Sequence, residues 1–175
     1  DKLKTFESQP QAAWMKNVMH FGGGRDVQEQ NRFASYLFGY EQSIEDSAFG
    51  ADVHTFLKTS SIPIEINLSE EVDQLINEGS SMMTFFGHAS SDGFDQTIDN
   101  PNNFEWNGKY PFLLGNGCYT GDFHGPGSGS TSEIYTILPN KGVIGFLAST
   151  ELGFETSLND YSRRFYRYLS TENYG

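Results

Sequence analysis

The chain is poor in cysteine and in basic residues, and it has no long hydrophobic run. Cys118 is the single cysteine among 175 residues, so an intrachain disulfide is impossible. The 11 basic side chains are outnumbered by 23 acidic ones, and the net charge of −12 argues against a nucleic-acid or anionic-membrane partner. No apolar segment approaches the roughly 20 residues of a membrane span. No basic-then-apolar leader opens the chain, so we expect any targeting segment to lie outside it.

Aromatic residues and glycines are abundant. The 15 Phe, 9 Tyr and 2 Trp, with only 19% charged residues, exclude disorder and suffice for the core of one compact domain or one lobe. The 19 glycines cluster with Ser, Asn and Asp between apolar runs, a pattern that indicates functional surface loops. Residues 1–13 are polar and aperiodic, which predicts a linker or the end of an upstream region before a domain at 14–175.

Short apolar runs alternate with amphipathic segments. Predicted strands cover Val18–Phe21, Val53–Leu57, Met82–Phe86, Pro111–Leu114 and Val143–Ala148. Helices are predicted around Phe33–Ala48, Val72–Ile76 after Ser69, Ile134–Leu138 behind a Ser130/Glu133 capping box, and Leu158–Leu169. This alternation predicts an α/β fold with a mostly parallel sheet, and the continuous apolar runs indicate strands covered on both faces.

Reactive side chains follow the predicted strands where ligands bind in open α/β sheets. The third strand runs into His88, the fourth into Cys118, and the fifth into Ser149-Thr150-Glu151. If the third and fourth strands are neighbours, about 5 Å apart, imidazole and thiol face one crevice. A thiol attacks as thiolate, which a nearby His favours, and Gly117 permits a tight turn with exposed amides for an oxyanion. The alternative is that Cys118 is a small buried hydrophobic residue.

Other candidate residues give weaker support for a functional site. His20 and His54 lie within predicted strands and are expected to be structural. Gly22-Gly23-Gly24 matches G-x-G-x-x-G incompletely, since Val27 stands at the last position, and a dinucleotide site is disfavoured. Asp26 with Glu29 three residues later is typical of an ordinary helix start. A zinc site is disfavoured for want of compact ligand spacing, and the set considered for it is His88, His124 and Asp92 or Asp95.

Three motifs in order resemble those of the gingipain family of cysteine peptidases, part of the wider caspase-like group. They are Phe-Gly-His at 86–88, Gly-Asn-Gly-Cys-Tyr-Thr-Gly-Asp-Phe at 115–123, and Gly-Phe-Leu-Ala-Ser-Thr at 145–150. The resemblance extends from Trp14 to about Leu169. The combination is more specific than any one of its motifs.

This resemblance implies a caspase-like three-layer α/β/α sandwich of about five or six strands, corresponding to the second lobe of a gingipain catalytic domain. It implies that Cys118 is the nucleophile and that His88 is the base or acid serving the leaving amine. The oxyanion would bind the backbone N–H groups of Cys118 and Ala89, where the family usually has Gly. The family also places an acidic residue just after the first strand. The chain has glycines there, so no third catalytic residue is assigned.

The predicted function is therefore a cysteine endopeptidase acting on protein or peptide substrates through Cys118 and His88, with no cofactor or metal. Because the chain departs from the family pattern, the alternative is a weak or inactive relative that serves as a binding or structural module of a larger secreted surface protein. Type IX secretion, which is typical of the family, implies an extracellular or cell-surface location and further domains in the same polypeptide. No nucleic-acid partner or membrane insertion is expected.

Substrate-binding residues are predicted around the same crevice. They are Asp26, Gly117, Ser149, Thr150 and Glu151. Asp26 resembles in position the specificity-pocket aspartate of arginine-specific gingipains, which would favour Arg or Lys before the scissile bond. The alternative is that Asp26 caps a helix through backbone N–H groups.

Overall fold

A parallel sheet forms the centre of the structure, a computed structural model that describes residues 1–175 except 47, 64–69, 97, 99, 125–128 and 172–175. The strands are β1 (Asn17–Gly22), β2 (Asp52–Leu57), β3 (Met82–Phe86), β4 (Ala89–Ser90), β5 (Gly93–Phe94), β6 (Phe112–Asn116) and β7 (Gly145–Ala148). The helices are α1 (Lys2–Glu7), α2 (Val27–Glu45), α3 (Glu70–Glu78), α4 (Thr131–Ile137) and α5 (Glu155–Thr171), with short 3-10 helices at Ala13–Lys16 and Pro101–Asn103.

The main sheet has five strands in the order β2-β1-β3-β6-β7, and each neighbouring pair is parallel. Strands β4 and β5 form a separate antiparallel pair just beyond the end of β3. The predicted α/β fold with a parallel sheet is confirmed. Because every main strand runs in the same direction, the loops that follow β1, β3, β6 and β7 meet at one edge.

Alternate residues of each strand enter two cores, one on each face of the sheet. On β3, Met83 and Phe85 pack with α3 and α4, whereas Met82 and Phe86 pack with α2 and α5. The sheet therefore lies between two helical layers, as predicted. The buried hydrophobic residues of the first core include Met19, Phe21, Val72, Ile76, Trp106, Leu113 and Tyr135, and those of the second include Val18, Leu37, Tyr40, Ile44, Leu114 and Tyr166.

A buried polar cluster lies in the second core, against the middle of the sheet. His20 is fully buried, and its Nε2 lies 2.7 Å from the Tyr166 hydroxyl. The same hydroxyl lies 2.7 Å from Thr84 Oγ1 on the adjacent strand. Burial lowers the pKa of His20 to about 3, so the imidazole is neutral at physiological pH. His20 thus has the structural role expected for it.

The last strand and the N-terminal region differ from the sequence-based expectation. The last strand begins at Gly145 rather than Val143, because the Val143 N–H donates to the carbonyl of Tyr135 in α4. The region predicted as a linker contains helix α1, whose Lys2 ammonium donates to the carbonyls of Tyr135 and Lys141, each at 2.8 Å. The domain boundary at residue 14 stays a prediction. Ser69, predicted before α3, lies outside the described residues.

The polar stretch after β3 contains the hairpin of β4 and β5 and a buried segment around Trp106. Its indole N–H donates to the Pro101 carbonyl at 2.9 Å. Within the described part of the chain, no helix is both long and apolar enough for a bilayer span.

Candidate active site

Cys118 and His88 follow adjacent strands at equal distances. In the β3–β6 pair, Phe86 lies opposite Asn116, and each reactive residue comes two positions later. The Gly87 N–H donates to the Asn116 carbonyl at 3.1 Å, which extends the pairing beyond the last strand residue. The predicted placement at the carboxyl ends of neighbouring parallel strands is confirmed. The catalytic roles of the two residues stay a prediction.

The two loops that carry these residues are in contact. A Cβ atom built on Gly117 would lie 2.5 Å from the Ala89 side chain and 3.4 Å from the Gly87 carbonyl oxygen. Real Cβ atoms do not approach other atoms so closely, so glycine is required where the cysteine loop passes the histidine loop. Gly117, predicted for substrate binding, therefore brings Cys118 close to His88 and Ala89.

His88 has an acidic partner that the sequence analysis did not assign. Its Nε2 lies 2.8 Å from Glu29 Oε2, and the side chains of His88 and Glu29 are 38% and 13% exposed. A carboxylate only accepts hydrogen bonds, so Nε2–H of the imidazole is the donor. The sequence left a third catalytic residue unassigned, because glycines follow the first strand, and Glu29 lies in the helix that comes after them.

Glu29 lies in the first turn of α2. Only four residues separate this helix from the end of β1, so its first turn lies at the carboxyl edge of the sheet. The Arg25 guanidinium donates to Oε1 at 2.7 Å and the Arg25 N–H to Oε2 at 2.9 Å. The guanidinium hydrogen bond, helped by the Arg25 N–H and His88, lowers the pKa of Glu29 to about 2 against the opposing effect of burial. Glu29 is therefore an anion across the physiological range.

The glycines after β1 make room for a buried carboxylate. A Cβ on Gly23 would lie 2.0 Å from Asp95 Oδ1, and one on Gly87 would lie 2.8 Å from the same atom. Asp95 Oδ2 accepts from the Gly24 N–H at 2.8 Å and from the Lys58 ammonium at 3.5 Å. The side chains of Lys58 and Asp95 are only 1% and 7% exposed. Gly23, Gly24 and Gly87 thus accommodate this buried ion pair.

Asp95 also fixes the peptide that follows His88. The Asp95 N–H donates to the His88 carbonyl at 2.9 Å, in continuation of the β4–β5 hairpin. In a trans peptide the C=O and the next N–H point in opposite directions, so the Ala89 N–H points away from Asp95. This is the donor that the sequence analysis predicts for the oxyanion.

The loop after β7 runs beside Cys118. The thiol of this half-buried cysteine lies 4.0 Å from the Gly153 carbonyl, which accepts its weak hydrogen bond. The Ser149 hydroxyl donates to the Gly117 carbonyl, and the Tyr119 N–H donates to the Glu151 carbonyl at 3.0 Å. Ser149 and Glu151, both predicted for substrate binding, therefore border the cysteine. Thr150 lies exposed between them.

The residue after Cys118 adopts an uncommon backbone conformation. Tyr119 has a φ of +58°, in the left-handed region that non-glycine residues enter rarely. Its N–H bond to Glu151 and the bond from the Gly121 N–H to the Ser149 carbonyl, both 3.0 Å, stabilise the turn. Conformations of this kind are frequent at functional sites.

Asp26 is predicted either to bind substrate or to cap a helix. Asp26 is exposed, and its Oδ1 accepts from the N–H groups of Gln28 and Glu29, each at 2.9 Å, so the helix-capping alternative is confirmed. Its role in specificity stays a prediction.

Within the described ranges, no group of three or more His, Cys, Asp and Glu side chains could hold a metal ion, and His124 does not join His88 in one.

The five-stranded parallel sheet between helical layers, with a cysteine and a histidine just after two neighbouring strands, has a caspase-like α/β architecture. The sequence profile described as "Peptidase family C25" matches residues 1–175. The chain therefore belongs to peptidase family C25, the gingipain family, which confirms the resemblance drawn from the motifs. No curated protein sequence matches the chain.

Solved structures show the same fold. One, described only as a protease, matches 93% of this chain with a TM-score of 0.74 and 18% identity. The Arg-specific cysteine proteinase gingipain R matches 89% with a TM-score of 0.63 and 16% identity. A complex of the pro- and mature domains of RgpB from Porphyromonas gingivalis matches 89% with a TM-score of 0.60 and 17% identity. The chain spans 35%, 37% and 37% of these three structures.

Proposed function

We propose that the chain carries the catalytic centre of a cysteine endopeptidase in which Cys118 is the nucleophile, His88 transfers protons and Glu29 orients the imidazole. The observation that carries the proposal is the 2.8 Å bond between His88 and Glu29, at the edge where Cys118 follows the neighbouring strand. A histidine held by a carboxylate next to a nucleophile is the arrangement that activates serine and cysteine hydrolases.

The reaction would take place in two stages. His88 accepts the thiol proton, and the Cys118 sulfur attacks the carbonyl carbon of the scissile peptide bond. As the C–N bond breaks, the imidazolium gives its proton to the departing amine, leaving a thioester on Cys118. A water molecule, deprotonated by His88, then hydrolyses the thioester to the carboxylic acid and restores the thiol.

Glu29 supplies the charge that this proton transfer requires. Because Nε2 of His88 is bound to Glu29, Nδ1 is the ring atom available for exchange with the thiol and the leaving amine. The anionic carboxylate stabilises the imidazolium that forms after the thiol is deprotonated. Arg25 keeps Glu29 ionised, since it lowers the pKa of that carboxyl group to about 2.

The negative charge on the substrate oxygen would be stabilised by the backbone N–H groups of Ala89 and Cys118. The orientation of the Ala89 N–H follows from the Asp95 bond to the His88 carbonyl. Backbone donors aimed in advance at the developing charge contribute strongly to such reactions. The methyl group of Ala89 does not remove its N–H, so the departure from the family's usual glycine is compatible with this role.

The contact of the thiol favours one second candidate, a non-catalytic binding module. The hydrogen-bond partner of Cys118 Sγ is the Gly153 carbonyl, 4.0 Å away, rather than the imidazole. In an active enzyme a rotation about the Cys118 side chain would bring sulfur toward His88 when substrate binds. In an inactive relative the thiol would keep its present contact and would have no enhanced reactivity.

Location and partners belong to the same proposal. Membership of the gingipain family supports export by type IX secretion, an extracellular or cell-surface location, protein or peptide substrates, and further domains in the polypeptide. Detection of the protein in washed-cell and culture-medium fractions tests the location.

The experiment that tests the proposal compares two histidine variants of the full-length protein. His88→Ala should abolish cleavage of casein and capture of a peptidyl electrophile at Cys118. His54→Ala is the matched control, because the His54 side chain is 30% exposed against 38% for His88 and lies in β2 at the sheet's far edge. No activity in the unmodified protein would favour the binding module, and equal cleavage by both variants would remove His88 from the mechanism.

A further inference from the structure

An apolar pocket lies beside the cysteine on the face of the sheet covered by α5. Its volume is about 310 Å³, within the range of small ligand-binding pockets. Strands β6 and β7 form one wall and the first turns of α5 form the other. The lining residues are Leu114, Gly115, Asn116, Leu147, Ala148, Ser149, Ser157, Leu158 and Tyr161.

The pocket adjoins Cys118 at two places. Ser149, which lines it, donates to the carbonyl of Gly117, the residue before the cysteine. Gly153, whose carbonyl faces the thiol, is so close to Leu158 that a Cβ on it would lie 2.6 Å from Leu158 Cδ1. The side chain of a substrate residue whose carbonyl carbon lies next to Sγ would therefore reach the pocket.

The lining carries no charge. None of the nine described lining residues is acidic or basic, and most of the surface is contributed by aliphatic and aromatic groups. Glu155 and Asp160, on the same helix, lie outside the lining and are paired with Arg32 at 2.6 Å and Arg164 at 3.0 Å.

We infer that this pocket receives the side chain preceding the scissile bond and that it selects an apolar residue of the size of Leu or Phe. The inference rests on the proposed peptidase function. Burying aliphatic surface is favourable here, whereas an Arg or Lys side chain would lose its hydration without meeting a carboxylate. Of the two acidic residues predicted for substrate binding, Asp26 is already bound to two N–H groups of α2, and Glu151 is exposed and lies outside the lining.

The test uses the full-length protein and two peptidyl acyloxymethyl ketones that differ only in having Leu or Arg before the reactive group. We expect Cys118 to react with the Leu probe at least about tenfold faster, since apolar pockets discriminate by this order. Ser157→Asp places a carboxylate in the lining and should narrow or reverse that ratio. Thr156→Asp, an equally charged change at the exposed neighbouring position outside the lining, should leave it unchanged.

Iodoacetamide tests the peptidase proposal separately from the pocket assignment, because it carries no side chain that the pocket could select. His88-dependent alkylation of Cys118 together with equal or faster reaction of the Arg probe would overturn the apolar assignment while leaving the peptidase proposal in place. An unchanged ratio in Ser157→Asp would also overturn it. Alkylation that does not depend on His88, with no reaction of either probe, would overturn both.

Discussion

Two histidines on neighbouring strands have opposite surroundings. His20 lies in the middle of β1, fully buried, and its partner is the hydroxyl of Tyr166. His88 lies just beyond β3, is 38% exposed, and its partner is the carboxylate of Glu29. The strands β1 and β3 are paired in register, with His20 opposite Thr84, so only about four positions along the sheet separate the two environments.

The difference shows how position along a strand decides what an imidazole does. Within the sheet, burial penalises the charged form, and the pKa of His20 falls to about 3. At the carboxyl edge, the His88 imidazole meets solvent and bonds to the carboxylate of Glu29 in the first turn of α2. The first histidine is a packing element, and the second lies where the proposed proton transfer would take place.

The largest expected effect is the loss of catalytic activity when His88 is removed. His88→Ala should lower kcat/KM for a peptide substrate by roughly a thousandfold, the usual order for removing a general base. Because the side chain is half-exposed, the free energy of unfolding should change by less than about 1 kcal/mol. Steady-state kinetics with urea unfolding of the same preparation checks both values. A large loss of stability with normal kcat/KM would contradict the assignment.

His20→Ala should have the reverse profile. Removing this buried ring leaves a cavity and takes one partner from the Tyr166 hydroxyl, so the free energy of unfolding should fall by roughly 2–4 kcal/mol. Activity per folded molecule should be retained, because His20 is remote from the carboxyl edge. Urea unfolding and active-site titration measure the two quantities. Loss of activity in fully folded protein would place His20 in the mechanism.

His20→Ala also tests the comparison through the pH dependence of stability. The pKa of His20 is about 3 in the folded protein and about 6.5 when the side chain is free, so the unfolded state binds the extra proton between these values. Stability should therefore fall as pH drops from 6.5 toward 3, by up to about 1.4 kcal/mol per pH unit. His20→Ala should lose this slope between pH 6.5 and 4.5. An identical slope in both proteins would show that the imidazole is already protonated when folded.

Glu29→Gln should have an intermediate effect on activity, roughly ten- to a hundredfold, because it removes the anion without removing the proton carrier. The pKa of Glu29 is about 2 against an ordinary value of 4.5, so its contribution to stability is present above pH 4.5 and is lost as pH falls through 4.5 toward 2. Thermal unfolding at several pH values should show this loss only when Glu29 is present. Glu41→Gln on the same helix, where Glu41 accepts from Thr55 at 3.1 Å, is the control for activity.

The smallest effect concerns the start of α2. Asp26→Ala should lower the free energy of unfolding by about 1 kcal/mol, because the helix loses its N-cap. Asp26→Ser should recover most of that stability, since a serine hydroxyl also caps. The preference between Leu and Arg probes should be the same in all three proteins. A changed preference in Asp26→Ala would support the specificity role predicted from the sequence.

The strands and the placement of Cys118 and His88 were predictable because the signals are local. An apolar run such as Met82–Phe86 forms a strand buried inside the sheet, and the residues just after it therefore lie at the carboxyl edge. Asp26 could likewise be recognised as a helix cap from its own neighbourhood. These features need no knowledge of how distant segments meet.

The partners of those residues could not be predicted, because they depend on tertiary packing. Glu29 is 59 residues from His88 in sequence and Lys58 is 37 from Asp95, and neither pair has a periodic pattern. One signal for Glu29 was present, since a helix that starts at the end of β1 places its first turn at the carboxyl edge. Asp95 lies in a polar stretch with no such signal, and its role emerges only from the glycines it packs against.

The central claim, that His88 activates Cys118, is tested most directly by the rate of Cys118 alkylation by iodoacetamide at pH 6 and pH 9.5. A thiol without a partner is less than about one hundredth ionised at pH 6. The account predicts that the unmodified protein reacts at least about tenfold faster than His88→Ala at pH 6, and that the difference shrinks at pH 9.5. Equal rates in the two proteins at pH 6 would contradict it.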